Sequence, residues 1–188
     1  MQSVLQSKKR RVWTDEQLEN LPRDGYKYEL LDGTLIMGPA HANHGTICVR
    51  ISALLLHHVE QHKLGEVYDS ITGFRLAPDL LLSPDVAFVS KARLRKILVS
   101  PDKFLSGAPD LVVEVLSPSD RMAQLSRKLE HYFDHGTKVA WIINWKEEQV
   151  LIYTPDSVGA LTGPNDVLTG GTALPGFKCK LAKIFRPA

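Results

Sequence analysis

A glutamate in the middle of a hydrophobic strand is the first residue of this chain that asks for a chemical explanation. Glu114 stands inside Leu111-Val-Val-Glu-Val-Leu116, a β-branched-rich run closed by Ser117-Pro-Ser119. Such a run predicts a central strand covered on both faces. A bare buried carboxylate is costly, so Glu114 must be neutralised, paired or holding a metal ion. Two other stretches could meet it: Ser83-Pro-Asp85-Val-Ala-Phe-Val89 upstream and Arg127-Lys-Leu-Glu-His-Tyr132 downstream. Two carboxylates and a lysine on three successive elements suit phosphodiester hydrolysis. One or two carboxylates hold a magnesium-type ion with positions left open for water and a phosphate oxygen. A lysine, here Lys128, adds a point charge for the attacking hydroxide or the phosphorane.

Two aspartates, Asp85 and Asp110, follow prolines and could partner Glu114. Asp110 belongs to the same strand, four residues earlier. At about 3.3 Å per residue that is roughly 13 Å, too far to share one ion. Asp85, on a separate strand, has no such limit and is the expected partner.

The elements that must position these groups follow from patterning. Thr14-Asp-Glu-Gln17 has capping-box spacing for a short helix that Pro22 ends. Tyr26 to Met37 predicts a hairpin about the type I′ turn signal Asp32-Gly33, with Leu31 facing Thr34 and Glu29 facing Ile36. Glu29 is then either at the rim of the site or an exposed strand acid. A helix is predicted from Asn43 to Gln61, with Ile47, Ile51, Leu54, Leu55 and His58 on one stripe. His44 projects onto that stripe one turn before Ile47 and Cys48, as a core histidine or a site residue. His58-Val-Glu-Gln-His62 lacks the metalloprotease order, in which the glutamate directly follows the first histidine.

Residues 65–82 read as two or three short strands, followed by the strand Val86–Val89. Lys91-Ala-Arg-Leu-Arg95-Lys96 is either a solvated helical face or a phosphate-contacting one. Ser119-Asp120 can cap a helix running to about His135, with Met122, Leu125, Leu129 and Phe133 as its buried stripe and Lys128 on the flank shared with Arg121 and Tyr132. Val139–Ile143 and Gln149–Tyr153 form a hairpin; 155–164 reads as a loop and the tail from Gly170 as irregular, its Leu174, Phe177, Leu181 and Phe185 covering the core.

The 188 residues, with a net charge of only +2, form one expected domain over 13–188 behind a flexible basic head, 1–12, that carries Lys8-Lys-Arg-Arg11. Bulk charge neither demands nor excludes a nucleic-acid partner. Two distant cysteines, Cys48 and Cys179, read as reduced thiols in a cytoplasm. No run approaches the roughly 20 apolar residues of a membrane span, so no membrane association is expected.

Taken together, Tyr28-Glu-Leu-Leu-Asp-Gly33, Pro84-Asp85-Val86, Leu111-Val-Val-Glu114-Val-Leu-Ser-Pro-Ser119 and Lys128-Leu-Glu-His-Tyr132 with Gly136 resemble, in order, the Uma-type restriction-endonuclease family of the PD-(D/E)XK nuclease superfamily. The resemblance runs from about Thr14 to Phe185. It implies an α/β fold (α+β, mixed sheet): a restriction-endonuclease-like core with flanking helices and an N-terminal hairpin. It also implies a Mg2+- or Mn2+-dependent endonuclease acting on DNA, with Asp85 and Glu114 as metal ligands and Lys128, Glu29 and His44 in the site. Lys91, Arg93, Arg95, Lys96 and Arg121 are the expected nucleic-acid contacts, and a homodimer is expected. The superfamily pattern wants a lysine two residues after the acid, where this chain has Leu116; Lys128, on the following helix, is the expected replacement. Asn144-Trp145 stands where the family often carries aspartate-proline, which puts an accessory acid in doubt. The competing reading is a non-catalytic descendant of the fold that binds nucleic acid or self-associates.

Overall fold

The computed structural model describes residues 13–22, 27–38, 42–97, 104–116 and 122–185. The basic head, Ser119-Asp120 and Arg121 lie outside the described residues.

The N-terminal elements are α1 (Asp15–Glu19), the hairpin strands β1 (Lys27–Leu31) and β2 (Thr34–Gly38), and the long helix α2 (Ala42–His62). Thr14 caps α1 with the expected capping box. The hairpin has the expected register, Leu31 with Thr34 and Glu29 with Ile36. Both turn residues have positive φ, Asp32 at 50° and Gly33 at 76°, as a type I′ turn requires. Four short strands follow, β3 (Gly65–Tyr68), β4 (Phe74–Ala77), β5 (Leu80–Leu82) and β6 (Val86–Ser90), then the single turn α3 (Lys91–Leu94), β7 (Leu105–Ser106) and the central strand β8 (Leu111–Val115). The remainder comprises α4 (Met122–Asp134), β9 (Val139–Asn144), β10 (Gln149–Thr154), β11 (Ser157–Leu161), β12 (Val167–Thr169), β13 (Lys178–Lys180) and α5 (Ala182–Phe185).

Two sheets carry the architecture. The larger is six-stranded in the order β11-β10-β9-β8-β6-β3, and the smaller is five-stranded, β2-β1-β5-β4-β7. The large sheet is mixed: β8 runs parallel to β9 and antiparallel to β6. A parallel neighbour needs a crossover, and α4 provides it. As its sequence predicts, β8 is buried on both faces. Leu111, Val113 and Val115 pack with Ile47, Ile51, Leu55 and Val59 of α2. Val112 packs on the other side with Leu125, Leu129 and Tyr132 of α4 and with Leu31, Leu80 and Leu82 of the small sheet. Since side chains alternate along a strand, Glu114 belongs with Val112 on the α4 side.

Three expectations need correction. Residues 157–161 are not loop but β11, paired with β10 from Val150↔Leu161 to Thr154↔Ser157. Nearly all of that edge strand is exposed, so no burial alternation marked it. The tail is not irregular, since β12 and β13 pair, although Leu174, Phe177 and Leu181 are buried in the core as expected. The stripe of α4 is rotated from the one expected. Met122 is 57% exposed and Phe133 only half-buried, whereas Lys128 and Tyr132 are buried beside Leu125 and Leu129. Hydrophobicity could not anticipate this, because a lysine enters a core only where carboxylates wait for it.

Candidate active site

β1, β6 and β8 bring the acids together. The register of β6 against β8 pairs Val86 with Val113 and Ala87 with Val112. Continued by one residue, it sets Asp85 opposite Glu114, and opposed residues of antiparallel neighbours project from the same face. The link is fixed by Asp85 itself, whose Oδ2 accepts the backbone N–H of Val115 at 2.8 Å. Glu29 arrives from β1 and is held by the N–H of Ser83, 2.8 Å from its Oε1. Glu29, Asp85 and Glu114 are 7%, 5% and 6% exposed.

Cations from β1, α2 and α4 enclose these carboxylates. Lys128 Nζ lies 2.7 Å from Glu114 Oε1 and 3.0 Å from Glu29 Oε1. The hydroxyl of Tyr132, one turn further along α4, donates to the same Glu114 oxygen at 3.2 Å. Lys27 Nζ meets Asp85 Oδ1 at 2.8 Å, and His44 Nε2 meets Asp85 Oδ2 at 2.9 Å. Cys48, a turn along α2, places Sγ 3.5 Å from His44 Nδ1.

The ionisation of the two acids differs for physical reasons. Burial pushes Glu114 up to about 7 even though Lys128 favours its charged form. Burial also acts on Asp85, but Lys27 and His44 outweigh it and hold that carboxyl well below the usual range. The hydrogen bond to Asp85 raises His44 to about 10, with Cys48 adding to the effect. Burial would lower Lys128, but Glu114 and Glu29 keep it firmly protonated. One carboxylate is thus fixed as an anion while the other can exchange a proton near neutrality, a separation typical of sites that do acid–base or metal chemistry.

The five residues expected at the site, Asp85, Glu114, Lys128, Glu29 and His44, converge. Leu116 packs half-buried against the cluster that includes Val112, so the strand offers an apolar side chain there and the lysine comes from α4. Sequence reasoning missed Lys27, Tyr132 and Cys48 as members. Lys27 had a readable signal, since it is two residues from Glu29 and shares its strand face.

The expected nucleic-acid contacts divide. Lys91, Arg95 and Lys96 are exposed. Arg93 is a correction: its Nη1 donates to Ala108 O at 2.8 Å, its Nη2 to Gly136 O at 2.5 Å, and its Nε lies 3.2 Å from Asp110. Asp110 also takes Lys138 and the N–H of Ser90. This arginine ties the start of β8 to the end of α4, so its guanidinium holds the fold. His58 and His62 are no metal pair either. His58 Nε2 lies 3.0 Å from Pro175 O, and His62 Nδ1 lies 2.9 Å from the carbonyl of His58 itself.

Residues 15–182 match the family model Uma2, described as "Putative restriction endonuclease". The chain belongs to the Uma2 family. Its fold is shared with the crystal structure of a protein from Anabaena variabilis described as a "putative nuclease", at 18% identity and a TM-score of 0.78, covering 92% of this chain and 97% of the other. No curated protein matches this chain. The mixed α/β architecture expected from the resemblance to the Uma-type family is therefore shown. The Uma2 family places the chain among nuclease-like proteins. Among the described residues no helix is long and apolar enough to cross a membrane.

Proposed function

We propose that the chain is a cytoplasmic, divalent-metal-dependent endonuclease that hydrolyses phosphodiester bonds in DNA. The observation that carries this reading is the buried Glu114 set opposite Asp85 with the Lys128 ammonium upon it. The donor set fits a hard cation. Among the described residues the partners of Glu114, Lys128 and Tyr132, meet it at Oε1, which leaves Oε2 to a ligand, and Oδ1 of Asp85 meets the ammonium of Lys27. Mg2+ or Mn2+ at Asp85 and Glu114 would supply a Lewis acid for the phosphoryl oxygen and a water of lowered pKa.

The residues around that position have separable tasks. Asp85, held ionised by Lys27 and His44, provides a fixed negative charge, while the N–H of Val115 sets its orientation. Lys128 keeps its charge at neutral pH and carries it to the strand carboxylate, where developing negative charge would gather. Glu29, pinned by Ser83, holds the ammonium in place from the other side. His44 at neutral pH is an imidazolium, a proton source beside Asp85.

The test is cleavage of supercoiled plasmid and of labelled oligonucleotides with Mg2+ or Mn2+. Wild type should cut, while Asp85→Asn and Glu114→Gln should lose several orders of magnitude of rate. Metal-independent cutting, or unchanged cutting in both variants, would end the proposal. One feature favours a non-catalytic binding module instead: Lys27 and Lys128 already pair all three carboxylates. That reading predicts DNA binding without cleavage under every metal.

A further inference from the structure

We infer a second cation site beside the carboxylates, one that selects a borderline-soft transition metal of the zinc class through Cys48 and His44. The site goes beyond the nuclease reading, with which it shares Asp85 and His44.

His44 and Cys48 are one turn apart on α2, so they project from the same helix face. Sγ of Cys48 lies 3.5 Å from Nδ1 of His44. Zinc binds thiolate at about 2.3 Å and imidazole at about 2.0–2.1 Å, so a tetrahedral centre would separate the two ligand atoms by roughly 3.6 Å. The two side chains already stand at that separation. The opposite nitrogen, Nε2, faces Asp85 Oδ2 at 2.9 Å. A carboxylate on the far nitrogen fixes the ring and leaves Nδ1 for the metal, the usual outer support of a metal-bound histidine. Donor atoms of His44, Cys48 and Asp85 all lie within 4.8 Å of one another. Asp85 is buried and the other two half-buried, so the site is formed by the fold yet reachable.

The ligand chemistry separates this site from the one proposed at Asp85 and Glu114. A thiolate and an imidazole suit zinc or cobalt and do not suit magnesium, which takes oxygen ligands. Binding releases the protons of the thiol and of Nδ1. Asp85 belongs to both settings, as the anchor of His44 here and as an oxygen ligand there. A zinc-class ion on Cys48 and His44 therefore adds positive charge next to the carboxylate that a magnesium-type ion would need. Zinc should then act as an inhibitor of a magnesium-dependent reaction.

Cobalt reports on this directly. The full-length chain, kept reduced with a phosphine, is titrated with Co2+ alone and followed by absorption. The expected result is a saturable near-ultraviolet thiolate-to-cobalt charge-transfer band that Zn2+ abolishes. Cys48→Ser should lose the band, while Cys179→Ser should keep it. Asp85→Asn should weaken cobalt binding about 10- to 100-fold, as loss of an outer carboxylate does. Glu114→Gln should keep the band, which separates this site from the fate of the nuclease reading, since that variant removes the proposed magnesium ligand. A wild-type protein without the band, or a band that survives Cys48→Ser, overturns the inference. Should Asp85→Asn not fold, the Cys48→Ser and Cys179→Ser arms decide it by themselves.

Discussion

Lys128 Nζ lies 2.7 Å from Oε1 of Glu114, an ammonium brought to a strand carboxylate by the helix that follows the strand. Leu116, two residues beyond Glu114 on the chain, packs against the same side of the sheet. A lysine at that position would have come from the strand itself. Here a turn of α4 reaches the same acid from above, and it brings Tyr132 with it.

The pair is structural as well as chemical. Lys128 is 7% exposed and faces both Glu29 and Glu114. Lys128→Met should therefore lower stability by about 3–5 kcal/mol, because it leaves two buried carboxylates without a cation. Adding Glu114→Gln to Lys128→Met should recover part of the loss, since one of the orphaned charges is then gone. Chemical denaturation of the three variants measures this. A Lys128→Met protein as stable as wild type would mean that water, not the ammonium, satisfies these acids.

Metal binding should be visible without substrate. Mn2+ or Mg2+ at about one hundred times its dissociation constant should stabilise the wild type by about 2.7 kcal/mol through mass action. Asp85→Asn and Glu114→Gln should show little of this gain. Thermal melts with chelator and with metal are sufficient, and equal gains in all three proteins would place the ion elsewhere.

The basic run divides into two kinds of residue, which mutagenesis can separate. Lys91→Ala with Arg95→Ala should leave the melt unchanged and reduce the slope of log affinity for DNA against log salt by about 0.9 per lost phosphate contact. Arg93→Ala should do the opposite. It removes bonds to Ala108 and Gly136 and an ion pair with Asp110, so it should lower stability. If the double variant keeps the full salt slope, that face does not meet the phosphates.

What the sequence made legible follows from which forces leave a periodic trace. The strand of Glu114, the Asp32-Gly33 hairpin and α2 were readable because burial and turn chemistry act locally. The choice of Asp85 over Asp110 needed only the rise of a strand, and Asp110 is found tied to Lys138 and Arg93. The rotation of α4 and the pairing of Lys27 with Asp85 were not readable. Each depends on a polar partner from a distant element, and no local pattern encodes it. β11 escaped for a different reason: as an exposed edge strand, its pairing to β10 is carried by the backbone.

The ionisation of the site gives a prediction whose sign can be worked out. Glu114 is raised from 4.5 in the unfolded chain to about 7 in the fold, chiefly by burial. Between those values the native state holds a proton that the unfolded state has lost. Its contribution is therefore full below about pH 4.5 and is lost as the pH rises through 7. His44 repeats the behaviour higher up, from 6.5 unfolded to about 10 folded, because Asp85 favours its charged form. The metal-free protein should consequently lose stability across the whole interval from 4.5 to 10, at up to about 1.4 kcal/mol per pH unit for each proton. Glu114→Gln removes only the lower half of that decline. At pH 5 the wild-type carboxyl is protonated and the amide resembles it, so the two proteins should melt together. At pH 8 the wild type carries a buried charge that glutamine lacks, so the variant should gain on it. Melts of both proteins in chelator from pH 5 to 9 read the difference. A gap that stays flat from pH 5 to 8 would show that Lys128 fully compensates the buried charge and that Glu114 is an ordinary salt-bridge acid.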